Sequence, residues 1–160
     1  MTNPQYGFCR QLNLKNYKNL IERIKKNEGF RVSAYKDILG FKTIGYGHLI
    51  KSNEEFLLNK KFNRTYLTKL FNQDFNKSIN DYLKYYKDKK HNQRTKNVII
   101  EMIFQLGIYK QRKFVKMNKY IEKKQFFMAA FEMKNSLWYK QTPKRVNLLI
   151  NILLQKKNEK

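Results

Sequence analysis

Glu28, Asp37 and Thr43 fall within the stretch "EGFRVSAYKDILGFKTIGYGH", which runs from Glu28 to His48. Two carboxyl groups in one cleft are what glycosidic bond cleavage needs: one held protonated donates to the leaving oxygen, and the other, ionised, activates water or stabilises the cationic transition state. Eight residues separate Glu28 from Asp37, and five separate Asp37 from Thr43. A hairpin folding back over a helix terminus would bring the three together along one wall of a cleft. Spacing alone leaves a second reading open, in which Glu28 is a helix-end acid and Asp37 an ordinary turn residue.

These acids stand out because the chain is otherwise basic. Among 160 residues, 35 Lys and Arg face 12 Asp and Glu, giving a net charge of +23 that is spread through every segment. Such a balance points to a polyanionic partner. Hydrophobic residues at 41% and aromatics at 15% are too abundant for a disordered chain and suffice for a compact core. Cys9, the single cysteine, cannot form an intramolecular disulfide and is read as incidental. No apolar run approaches the roughly 18 residues of a membrane span, and the N-terminal stretch lacks the apolar middle of a secretory signal, so synthesis in a cytoplasm is expected.

The elements that must position the acids follow from apolar spacing. Tyr17, Leu20, Ile21 and Ile24 mark a short amphipathic helix over residues 16–27, leaving Glu28 at its exit. Phe30, Val32 and Ala34 then alternate with Arg31, Ser33 and Tyr35; "KDILG" supplies a turn and "FKTIGYG" a return strand. Asn63 is a candidate N-cap for a long helix in which Leu67, Leu70, Phe71, Phe75, Ile79, Tyr82, Leu83 and Tyr86 repeat. The apolar helix "TKNVIIEMIFQL" stops at Gly107, and shorter segments follow over 114–135 and 143–154. The fold class is therefore α+β and mostly α, with a small β-hairpin lobe and a larger helical lobe joined by the long helix.

The order "NEGFRVSAYKD", "TIGYGH", "LFNQD" (70–74), "FQLG" (104–107) and "WYKQTPKR" (138–145) resembles the phage-type lysozymes, the T-even phage endolysin family of muramidases. The likeness covers about residues 16–154. It implies a lysozyme-like fold with a peptidoglycan cleft between two lobes, and cleavage of the β-1,4 bond between N-acetylmuramic acid and N-acetylglucosamine with inversion. It implies a catalytic domain over 16–160, with the β-containing lobe at about 28–62, a connecting helix at about 64–87 and the helical lobe at about 92–155, after an N-terminal extension over 1–15 that could dock a partner.

By the same resemblance Glu28 matches the general acid, Asp37 the second catalytic carboxylate and Thr43 the residue that helps place the attacking water. Arg145 matches an arginine that pairs with the glutamate, and His48 and Asp74 match a structural ion pair. Leu49 and Phe104 match substrate-contacting positions, although Phe104 equally suits plain core packing, as does Trp138. Met117 and Glu132 occupy contact positions where small polar side chains are more usual, and the segment between His48 and Asp74 is about a dozen residues shorter than in longer members of the family. Gly45 and Gly47 are read as sites where absent side chains let sugar rings approach the backbone.

No cofactor is implied and no metal site is expected, since His91, the second histidine, lies in the Lys-rich "KDKKHNQR". The protein is expected to be a monomer whose partners are peptidoglycan and anionic wall polymers, with no nucleic acid and no membrane span. The resemblance places the protein in a host cytoplasm before release to the wall, or in a virion. Two other readings compete: a lysozyme-fold wall-binding or virion component without hydrolysis, and a basic nucleic-acid-binding protein, for which the charge speaks but no recognised motif does.

Overall fold

The computed structural model describes residues 14–37 and 40–155. Cys9 and the expected docking role of the N-terminal extension lie outside the described residues.

A 3₁₀ turn at Leu14–Tyr17 leads into α1 (Lys18–Glu28), which buries Leu20 and Ile24. The helix stops because Gly29 takes φ 71°, a left-handed conformation that favours glycine, and its amide donates to the carbonyl of Lys25. Glu28 is thus the last residue of α1. Then β1 (Arg31–Lys36), β2 (Lys42–Gly45) and β3 (His48–Leu49) form an antiparallel sheet in that order.

The simple alternation expected along β1 does not hold. Arg31 pairs with Gly45 but Tyr35 with Thr43, so β1 carries an irregularity between them. Such a bulge turns side chains off the period-two pattern, and Val32, expected to share a face with Phe30 and Ala34, is exposed while both of these and Ser33 are half-buried.

Asn63 caps α2 (Arg64–Tyr86), its side chain accepting from the Tyr66 amide at 2.8 Å. The 23 residues of α2 run for about 35 Å at 1.5 Å per residue, long enough to serve two cores. Leu67 and Leu70 pack with Ile44 and Leu57 beneath the sheet, whereas Phe71, Phe75, Ile79, Tyr82 and Tyr86 enter the main core with α1 and the later helices. Each fully buried Leu, Ile or Phe side chain among these contributes about 1.5–3 kcal/mol. Leu83, counted in the apolar repeat, is exposed instead, because the buried stripe passes through its neighbours Ile79, Tyr82 and Tyr86.

Asn92 caps α3 (Gln93–Leu106) by accepting from the Thr95 amide, and Gly107 at φ 76° ends it. Five further helices follow: α4 (Ile108–Arg112), α5 (Val115–Glu122), α6 (Phe126–Lys134), α7 (Leu137–Gln141) and α8 (Pro143–Leu154). Proline opens α8 at a position where its missing amide hydrogen costs nothing. The second histidine, His91, lies between α2 and α3 as expected and is half-buried there, its Nδ1 3.0 Å from the Tyr82 hydroxyl. Among the described residues no helix is long and apolar enough to cross a membrane.

Candidate active site

Glu28 is fixed from three sides. Its position at the end of α1 follows from the Gly29 stop. Arg145, in the first turn of α8, donates from Nη1 to Glu28 Oε1 at 2.8 Å and from Nη2 to the carbonyl of Asn27 at 3.1 Å. One guanidinium therefore holds both the carboxylate and a terminal carbonyl of the helix that carries it. On the third side is Gly47, at φ 80°, where an added Cβ would stand 2.9 Å from Glu28 Oε2.

The two strand-region glycines consequently do something other than admit sugar. An added Cβ at Gly45 would lie 3.3 Å from the Cβ of Leu67 on α2, so the missing side chain lets the hairpin seat on the helix. At Gly47 the space is taken by the Glu28 carboxylate itself.

Burial raises the pKa of Glu28, and the charge and hydrogen bond of Arg145 pull it back only in part. The direction is that of a proton donor, a carboxyl kept protonated into a higher pH range than an exposed one.

Asp37 follows directly on β1. Its Oδ1 accepts from the Phe41 amide at 2.8 Å, its own amide donates to the Phe41 carbonyl at 2.9 Å, and its carbonyl accepts from Gly40. The carboxylate is thus oriented by a turn that it helps to close. Thr43 lies on β2, buried, with its hydroxyl within reach of the Tyr35 and Phe41 carbonyls at 3.4 and 3.3 Å. Leu49 on β3 sits opposite Thr43 in the sheet and is 51% exposed. Phe104 is half-buried against the main core, its ring 5.5 Å from that of Phe71. Trp138 is buried and donates from Nε1 to Gln105.

Met117 and Glu132 line one shallow pocket between α5 and α6, together with Phe114 and Ser136. Met117 has no exposed surface, so it acts there by packing and Glu132 is the polar group of the pair.

His48 is buried between two carboxylates, with Nδ1 2.7 Å from Asp74 Oδ2 and Nε2 3.1 Å from Glu54 Oε2. Asp74 belongs to α2, and Glu54 to a 3₁₀ turn at Ser52–Leu57. The pair therefore joins hairpin to long helix, and a third member unread in the sequence ties in the short connection between them. Asp74, then Glu54, raise the pKa of His48 against the lowering effect of burial. Both ring nitrogens are occupied, which leaves none to a metal ion. Among the described residues no three His, Cys, Asp or Glu side chains gather as a metal site.

A second buried acid escaped the sequence reading. Glu101 on α3 has almost no exposed surface and accepts from Arg23 Nε at 2.7 Å and from Asn27 Nδ2 at 3.3 Å. The signal was available, since Glu101 is the single acid in the apolar run "VIIEMIF", and a buried carboxylate requires partners.

The geometry around Glu28, Asp37 and Thr43 sits inside the region that comparison with known proteins identifies. The phage lysozyme family model matches residues 25–159. The chain belongs to the phage lysozyme family. Similar curated proteins include "Probable T4-type lysozyme 2" of Dictyostelium discoideum, 33% identical over 84% of this chain and 92% of the relative. "Probable T4-type lysozyme 1" of the same organism is 35% identical over 82% of this chain and 91% of the relative. As a phage lysozyme family member the chain has the α+β, mostly helical architecture expected from its sequence, and every residue discussed above as a site candidate lies within the matched span.

Proposed function

We propose that this lysozyme-type peptidoglycan hydrolase cleaves the β-1,4 bond between N-acetylmuramic acid and N-acetylglucosamine, with Glu28 as general acid and Asp37 as the second carboxylate. The observation that carries the reading is the half-buried Glu28 carboxyl, clamped by Arg145 and Gly47 and shifted toward its protonated form. A proton held there passes to the glycosidic oxygen as the bond to the anomeric carbon breaks. Asp37, ionised, accepts a hydrogen of the attacking water or steadies the positive charge growing on the sugar ring. The Thr43 hydroxyl donates inward to a backbone carbonyl, so its oxygen offers lone pairs to the same water.

A water entering between two carboxyl groups separated by about 6.5–9.5 Å gives inversion at the anomeric carbon. Leu49 lines the exposed rim where sugar would lie, and Phe104 backs the site from the core. The protein works as a monomer, drawn to anionic wall polymer by its charge of +23. The same chemistry serves a phage leaving its bacterial host. The family is named for phages, while both relatives cited come from Dictyostelium discoideum.

Purified peptidoglycan tests the proposal. Muramic reducing ends, released initially as the inverted anomer, are expected, and both Glu28→Gln and Asp37→Asn should lose hydrolysis by about 10²-fold or more. Wall binding without any new reducing ends in the unaltered protein would overturn it in favour of a non-catalytic wall-binding role.

A further inference from the structure

Behind the Glu28–Arg145 pair lies a second layer of charge that the reaction itself does not use. Glu101 projects from α3 into the junction of α1 and α8, with its side chain 3% exposed. The interior would reject such a carboxylate without partners. Two come from α1: Arg23, whose Nε reaches Oε2 at 2.7 Å, and Asn27, whose Nδ2 reaches Oε1 at 3.3 Å. A third comes from α8, where the charge of Arg145 also acts on Glu101.

Asn27 is the hinge of this arrangement. Its side chain donates to Glu101, its carbonyl accepts from Arg145, and its next neighbour in sequence is Glu28. The last turn of α1 is thereby tied to α3 through a side chain and to α8 through the backbone. Arg145 is bonded to Glu28, and its charge also acts on Glu101. Arg23 makes its bond to Glu101 through Nε while its Nη2 is buried with no partner, so the arginine is not accommodated for its own sake. Without the Arg23 guanidinium, the buried Glu101 carboxylate would lose its closest partner.

We propose that Glu101 is a positioning residue for the catalytic acid, setting through Asn27 and Arg145 where the Glu28 carboxyl sits and how strongly the Arg145 cation bears on it. The inference rests on the proposed role of Glu28. With Glu101 present, the field of Arg145 is shared between two carboxylates. With its charge removed, Arg145 is drawn toward Glu28 alone, and the protonated form of Glu28 is disfavoured.

Two measurements on the full chain test this: the pH dependence of peptidoglycan hydrolysis, and a carbon-13 titration of the Glu28 side-chain carboxyl. Glu101→Gln keeps the shape and a hydrogen-bond acceptor, and should move both the Glu28 midpoint and the alkaline limb of kcat to lower pH by about one unit. Glu101→Asp restores the charge and should return both toward the unaltered protein even where its Tm is lower. Asn27→Ala leaves Arg23 and Glu101 paired but cuts the tie to the Glu28 turn, and should lower kcat severalfold with KM unchanged. A folded Glu101→Gln protein with unmoved midpoint and limb would overturn the proposal, whatever its Tm. If that variant does not fold, Asn27→Ala decides, and unchanged kcat there would overturn it. The titration reads the effect even in a protein that hydrolyses nothing, so failure of the lysozyme assignment is told apart from failure of this one.

Discussion

A side chain at Gly47 and the carboxylate of Glu28 cannot occupy the same space: an added Cβ would stand 2.9 Å from Oε2. The glycine is also held at φ 80°, where an L-residue is strained. Turn geometry and placement of the acid are therefore one constraint.

Gly47→Ala should accordingly lose both stability and turnover. The backbone conformation alone costs about 1–3 kcal/mol, and displacing the acid by even ~1 Å can reduce the rate by about 10²-fold. Gly107→Ala is the control, since Gly107 has φ 76° but nothing within 4 Å of an added Cβ. It should lower Tm with little change in kcat. Equal effects of the two substitutions on kcat would show that contact with Glu28 is immaterial.

Glu28→Gln should separate activity from stability. Burial raises the folded pKa of Glu28, so the protonated form is the one folding favours. The stability linked to this group is present below the ordinary carboxylate pKa and is lost as pH rises through the folded value. The amide can still accept from Arg145. The variant should therefore equal or exceed the unaltered protein in Tm at pH 7 and lose that advantage near pH 4, as melting curves at the two pH values would reveal.

His48 has the opposite kind of link. Asp74 and Glu54 raise its folded pKa, so the stabilisation is complete below the unfolded value of about 6.5 and is lost as pH rises through the folded value. His48→Ala should cost about 1–3 kcal/mol near pH 6 and less near pH 9, measured by denaturant unfolding. The variant should retain its turnover at temperatures where it is folded. Normal Tm with lost activity would instead place His48 in the chemistry.

Charge should govern access rather than cleavage. If +23 concentrates the enzyme on anionic wall, activity on whole walls should fall steeply between low salt and a few hundred millimolar, where screening confines surface charge to less than about 10 Å. Cleavage of a short soluble oligosaccharide should change much less, and equal salt sensitivity of the two substrates would remove recruitment as the purpose of the lysines. Duplex DNA added as a competitor tests nucleic-acid binding in the same series.

Local chemistry made much of this protein legible from its residues. Asn63 caps a helix, Gly29 and Gly107 end two others, and the apolar spacing of α2 marks the face it buries, because each depends on neighbours within a turn or two along the chain. The motif order around Glu28, Asp37 and Thr43 likewise carries the family resemblance, and through it the pairing of Arg145 with Glu28. Chain order could not show that β1 is irregular between Arg31 and Tyr35, that the space at Gly47 belongs to Glu28, or that His48 takes Glu54 as well as Asp74. Nor could it show Glu101 meeting Arg23 from 78 positions away. Those relations arise when distant segments are packed together and water is excluded, and the same exclusion gives the carboxyls their raised pKa. Sequence shows which groups can ionise; only the tertiary structure decides which of them are desolvated, and which cations are brought close enough to oppose that desolvation.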